Sequence, residues 1–213
     1  MATQKKIAKS SVVPIIGLVG GIASGKSFIG QILVQLGCVR IDADRIGHEL
    51  LDKPMICQLL KQKFGPEIIG QDGRVDRVRL GNLVFGPDGQ ALQRRADLEA
   101  IMHPAIRTSA VQMVHRLRHS DPAPTAIVID APLLIEAGWE PMCDWVFFVD
   151  TPEETRRKRA SERGWSQEHW AAREKAQLSI DRKKQAATHV IPGDSPPEIL
   201  KQYLSQLIDT LRS

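Results

Sequence analysis

Five short apolar runs punctuate the chain, at residues 15–19, 38–41, 126–129, 145–149 and 189–191. Each is apolar almost throughout rather than alternating, the pattern of parallel strands buried on both faces. Between the runs, apolar positions recur every three to four residues, so helices separate the strands and the fold class is α/β with a five-stranded parallel sheet. The interval 42–125 is too long for a simple crossover. It carries helical stretches at 46–51, 55–64, 77–85 and 90–119, the last expected to break or kink before Pro104. Gly70-Gln71-Asp72-Gly73 reads as a turn. After the fourth run, Thr151-Pro152-Glu153-Glu154 reads as a capping box with proline at the first helical position. Gly164 is placed to end that helix and Ser166 to cap the next. Ser195-Pro196-Pro197-Glu198 repeats the capping pattern for a final helix with Ile199, Leu200, Tyr203, Leu204, Leu207, Ile208 and Leu211 as its apolar stripe.

The first run leads into Gly20-Gly21-Ile22-Ala23-Ser24-Gly25-Lys26-Ser27, which reads G-x-x-x-x-G-K-S, and an amphipathic stretch follows it. A strand, this loop and a helix in that order form a P-loop. Its backbone N–H groups wrap a polyphosphate, Lys26 reaches the β- and γ-phosphates, and the Ser27 hydroxyl ligates Mg²⁺. The start of the helix adds its positive end. In open α/β sheets ligands gather at the carboxyl ends of strands, and the later runs also end in polar residues. They end in Asp42-Ala43-Asp44, in Asp130-Ala131-Pro132 with Leu133, Leu134 and Glu136 beyond, and in Asp150-Thr151. Asp130 follows an apolar strand, as does the acid that holds Mg²⁺ through water in P-loop enzymes; the plainer alternative is a cap or turn residue. Asp42 and Asp44, two apart, face the same way if the chain stays extended. One could then accept a proton from an attacking hydroxyl while the other caps the next helix. Arg156, Arg159 and Arg163, spaced by three and then four, share a helical face. Either they grip phosphate oxygens from a closing lid or they form a solvated charged face.

Composition narrows the picture. The chain has 213 residues and is 42% hydrophobic and 25% charged, which suits one globular α/β domain with an insertion. No apolar run approaches the ~20 residues of a membrane helix, and the polar, basic start has no signal-like apolar core. Residues 1–11 read as a flexible basic tail. Net charge is +4, and residues 151–184 hold ten Lys/Arg against six Asp/Glu. A basic segment in an otherwise slightly acidic chain points to a local anion site rather than to a nucleic-acid surface. Cys38, Cys57 and Cys143 form no C-x-x-C pair, which speaks against zinc and disulfides and fits a reducing cytoplasm. The histidines show no ligand spacing, and the four tryptophans read as packing residues.

Beyond the P-loop, three blocks occur in order: Ile41-Asp42-Ala43-Asp44, Leu98-Glu99-Ala100-Ile101-Met102-His103-Pro104-Ala105-Ile106, and Pro132-Leu133-Leu134-Ile135-Glu136. The spaced Arg159, Arg163 and Gln177 follow them. Together these resemble the dephospho-CoA kinase family over most of the chain. The resemblance implies a P-loop kinase core, a helical substrate-binding lobe and a helical lid. The core falls at 12–45, 124–150 and 186–213, the lobe at 46–123 and the lid at 151–185, within a single domain 12–213. It implies ATP and Mg²⁺, and transfer of the γ-phosphoryl group to the ribose 3′-hydroxyl of dephospho-CoA by a monomer or weak homo-oligomer without nucleic-acid or membrane partners. It matches Asp44 to the general base, Lys26, Arg159 and Arg163 to the phosphate-handling cations, and Asp42, His103, Pro132, Leu133 and Glu136 to substrate contacts. Four positions depart from the family pattern. Ala23 stands for a common glycine, His48 for a frequent arginine, Arg156 for a usual glutamine, and Pro192-Gly193 for an Asp-Asn pair near the adenine. The alternatives are another P-loop kinase acting on a nucleoside, nucleotide or shikimate-like alcohol, a GTPase-like switch, which the missing Asn-Lys-x-Asp motif disfavours, and a non-catalytic nucleotide-binding regulator.

Overall fold

Every apolar run becomes a strand in the computed structural model, which describes residues 13–86 and 89–212. The expected tail at 1–11 lies outside the described residues. The strands are β1 (Ile15–Gly20), β2 (Val39–Asp42), β3 (Ile127–Asp130), β4 (Trp145–Asp150) and β5 (His189–Pro192). They form one parallel sheet in the order β2-β3-β1-β4-β5. Each strand runs one residue past its apolar stretch, onto Gly20, Asp42, Asp130, Asp150 or Pro192. The register sets Leu18 beside Asp130 and Gly20 beside Val149, so the carboxyl ends of β1, β3 and β4 lie next to one another.

The helices are α1 (Lys26–Gln35), α2 (Ala43–Leu50), α3 (Pro54–Phe64), α4 (Arg77–Phe85), α5 (Ala91–Arg118), α6 (Glu153–Glu162), α7 (Gln167–Lys175), α8 (Ile180–Ala186) and α9 (Pro197–Arg212). The described residues divide into two compact units. One comprises residues up to Ile41 and from Val114 onward, and the other is Asp42–Met113. In the first, α1 and α9 cover one sheet face. Ile29, Ile32 and Leu33 of α1 and Leu200, Leu204 and Ile208 of α9 pack on Ile16, Leu18, Val128, Phe147, Val149 and Ile191. At Gly17 a Cβ atom would lie 2.8 Å from Cys143 Sγ and 3.0 Å from Leu134 Cδ1, so glycine there admits the chain that follows β3. The helical unit has its own core of Ile56, Leu60, Phe64, Ile68, Leu80, Val84 and Met102.

Several local expectations need correction. Of the expected break or kink at Pro104, the break does not occur: helix α5 runs through the proline. The proline is exposed, and Leu98, Ile101, Met102, Ala105 and Ile106 pack into the helical core on both sides of it. That burial holds the helix although one backbone hydrogen bond is missing. Thr151 does not cap α6: Pro152 occupies the cap position without a side-chain hydrogen bond. The Thr151 hydroxyl instead donates to Ser24 O at 2.8 Å, a stronger claim on a buried group than a cap open to water. The signals at Gly164 and Ser166 hold, whereas Pro196 rather than Ser195 directly precedes α9, and Ile199 and Tyr203 of its expected stripe are exposed. Gly164, at φ +78°, closes α6 with Trp165 N–H donating to Ala160 O and Gly164 N–H to Ser161 O, a Schellman motif. The Ser166 hydroxyl accepts from His169 N–H.

Candidate active site

The P-loop leaves β1 at Gly20 and enters α1 at Lys26, as the motif requires. Gly25 sits at φ +99°, in the left-handed region that favours glycine. Gly21 is a site of close approach, since a Cβ there would lie 2.5 Å from Arg156 Nη1 and 2.8 Å from Ile180 Cδ1. Ala23 also has positive φ, +59°, which gives a physical reason for glycine at this position in the family pattern. Behind the loop, Ser24 O accepts from the Thr151 hydroxyl and, at 3.2 Å, from Arg159 Nη1. Arg159 also donates to Gly193 O at 3.3 Å, which ties the loop to the β5–α9 turn. Gly193 passes so close that a Cβ would lie 2.9 Å from Ser24 O. The Ser24 hydroxyl is buried and has no hydrogen-bond partner among the described residues. A cradle this tight, with an unsatisfied hydroxyl inside it, fits a polyphosphate.

Lys26 folds back over the loop, and its Nζ donates to Gly20 O at 3.0 Å and Gly21 O at 3.2 Å. Its pKa is lowered to about 8, chiefly by burial and next by the Lys183 charge. Arg156 lowers it further, while Asp130 and Glu174 pull in the opposite direction. Asp130, 8% exposed at the end of β3, pairs with Arg40 Nε at 3.2 Å. Ser27 is exposed in the first turn of α1. Among the described residues no group of three or more His, Cys, Asp or Glu side chains could hold a metal ion. A hydroxyl and one carboxylate still suit Mg²⁺, which keeps several waters and takes its remaining ligands from substrate phosphates.

Helices α6 to α8 bind the loop through an ion-pair network. Arg156, 4% exposed, pairs with Glu174 Oε1 at 2.6 Å and lies 5.5 Å from the Trp170 ring centroid. The other Glu174 oxygen accepts from Ile22 N–H at 3.2 Å. The three arginines of the expected stripe therefore differ: Arg156 is buried, Arg159 grips loop carbonyls, and Arg163 is exposed at the end of α6. After β3, Pro132 is exposed and Leu133 half-buried. Glu136 Oε1 accepts from Leu178 N–H at 2.9 Å and pairs with Lys183 Nζ at 3.3 Å. Within the helical unit, Asp42 caps α2 by accepting from Arg45 N–H at 3.0 Å. Asp44 is exposed in the first turn of α2, and His103 is half-buried on α5. Because α2 starts at Ala43, the two aspartates do not share an extended face.

Thr151, Glu174 and Lys183 escape sequence reasoning, since each resembles a cap or a surface charge. The sequence holds no signal for them, because the burial of Arg156 that demands a counter-ion is set by the packing of the helices.

The dephospho-CoA kinase family model matches residues 14–197. A dephospho-CoA kinase of Symbiobacterium thermophilum is 41% identical over 181 residues, 83% of this chain and 72% of that protein. One from Carboxydothermus hydrogenoformans is 36% identical over 92% of this chain and 94% of its own length. The solved structure of dephospho-CoA kinase from Campylobacter jejuni superposes with a TM-score of 0.63 at 26% identity, covering 93% of this chain and 97% of that one. With the motif blocks, the P-loop geometry and the family match in agreement, the chain belongs to the dephospho-CoA kinase family.

Proposed function

We propose that this protein transfers the γ-phosphoryl group of ATP to the ribose 3′-hydroxyl of dephospho-CoA, releasing coenzyme A and ADP, in the cytoplasm as a monomer or weak homo-oligomer. The observation that carries the reading is the P-loop cradle of Gly20–Ser27, bound from behind by Thr151 and Arg159, in a chain of this family. The acceptor oxygen attacks the γ-phosphorus, the bond to the β–γ bridging oxygen breaks, and Asp44 takes the hydroxyl proton. Lys26 leaves the Gly20 and Gly21 carbonyls for phosphate oxygens and follows the charge as it moves. Arg159 and Arg163 add positive charge from the lid, residues 151–185. The lobe at 46–123 holds the acceptor, with Asp42 shaping the start of α2 and His103 contacting the acceptor; Pro132, Leu133 and Glu136 are further acceptor contacts. Ser27 and Asp130 would hold Mg²⁺, which neutralises phosphate charge when bound.

The test is mass detection of coenzyme A after incubation with ATP, Mg²⁺ and dephospho-CoA, alongside adenosine, AMP and shikimate as acceptors. Brisk turnover on one of these with none on dephospho-CoA rejects the reading.

A pH prediction follows from Lys26. Before ATP binds, it is about half protonated near pH 8. Phosphate oxygens favour the ammonium and raise its pKa, so ATP binding at pH 8 takes up roughly half a proton. At pH 6 the lysine is already charged and takes up none, while above pH 8 ATP affinity declines. Calorimetry in buffers of different ionisation heat reads the uptake directly. A buffer-independent heat at pH 8 would refute the role given to Lys26.

A further inference from the structure

Lys183 is 2% exposed, and no step described so far uses it. A lysine is almost never buried this deeply unless it is paired. Its ammonium donates to Gln177 Oε1 at 2.6 Å and pairs with Glu136 Oε1 at 3.3 Å, a carboxylate whose side chain is 19% exposed. Glu136 in turn accepts from Leu178 N–H, the residue next to Gln177. The contacts close a ring that fastens the segment after β3 to the turn between α7 and α8. One turn before Lys183, Ile180 presses its Cδ1 against Gly21, where a Cβ would lie 2.8 Å away. Helix α8 thus backs the phosphate cradle at its first residue and is anchored by a buried cation at its middle. Its seven residues are too few to hold a helix in place without such anchoring.

We propose that Lys183 is a positioning residue for ATP: it holds α8 against the P-loop and keeps a fixed positive charge behind the phosphate cradle. Gln177 and Glu136 orient its ammonium, and Ile180 transmits the position of α8 to Gly21. A neutral residue at 183 removes the charge and leaves Glu136 without its cation, so the α7–α8 turn separates from the segment after β3. The loop then loses its backing on the side that faces Ile180, and the phosphates bind more weakly.

The inference rests on the nucleotide half of the proposed function, and its test reads ATP binding directly, so it stands or falls separately from the identity of the acceptor. Titration of the full chain with ATP and Mg²⁺ should give a Kd about tenfold higher for K183M than for the parent. K183R, which keeps the charge, should restore Kd to within about threefold. A purely structural role lowers the folded fraction and apparent kcat but leaves Kd unchanged in the molecules that remain folded. Q177L provides a second variant that keeps the Glu136–Lys183 pair, and it should weaken ATP binding in the same direction by about threefold. ATP affinity within twofold of the parent in K183M, or in Q177L should K183M not fold, overturns the proposal.

Discussion

Replacing Asp44 by asparagine should lower kcat by about 10²–10⁴-fold while changing the KM for ATP and dephospho-CoA by far less. That is the usual contribution of a general base, and an amide cannot take the proton. The local structure separates the two acids of the Asp42-Ala43-Asp44 block. Asp42 is committed to the N-terminus of α2, where its carboxylate accepts from Arg45 N–H. Asp44 lies in the first helical turn and is exposed. Asp42→Asn should therefore be mild, because asparagine caps a helix about as well as aspartate. Steady-state kinetics of both variants, with thermal melts to confirm the fold, provide the check. An Asp42→Asn enzyme as impaired as Asp44→Asn, or one impaired in its place, would transfer the base role away from Asp44.

Lys26→Ala should abolish most turnover, by about 10²–10³ in kcat, with the melting temperature nearly unchanged. The magnitude is that of removing one preorganised electrostatic contact to a transition state. Stability should hold because the loop does not depend on the lysine for its shape. Ser24 O is secured by Thr151 and Arg159, and Ile22 is held by Glu174. The lysine is half-buried and held there at a desolvation cost, as its lowered pKa shows, so its removal relieves that cost while losing two hydrogen bonds to loop carbonyls. A variant with near-parent kcat and a normal melting curve would remove Lys26 from the chemistry.

The three central strands are legible in the sequence because burial on both faces leaves β1, β3 and β4 no charged position until the carboxyl end, whereas the edge strands β2 and β5 are only partly buried and admit Arg40 and His189. In the central strands the pattern breaks at that end, at Gly20, Asp130 and Asp150, and the carboxyl ends of these strands lie side by side next to the P-loop. The P-loop is equally legible, since its motif specifies backbone shape as well as chemistry. What resists reading is the set of contacts that support the loop. Thr151 looks like a helix cap because the local code for a cap and the long-range demand of a buried carbonyl call for the same hydroxyl. Glu174 and Lys183 sit among ten basic and six acidic residues in 151–184, a composition that reads as a solvated surface. Only the packing of α6, α7 and α8 on the P-loop decides which of those charges are enclosed. Pro104 misleads for a related reason: propensity predicts a break, and tertiary burial on both sides of the proline overrides it.

The Arg156–Glu174 pair limits how this sequence can drift. Loss of either partner alone leaves a charge enclosed against Ile22 and Trp170, at a cost of about 3–5 kcal/mol, whereas loss of both together can be nearly neutral. Single substitutions at 156 or 174 therefore lead into a valley of fitness that a simultaneous exchange avoids. The two positions, 18 residues apart, are coupled through one contact, so their double substitution should cost far less than the sum of the single ones.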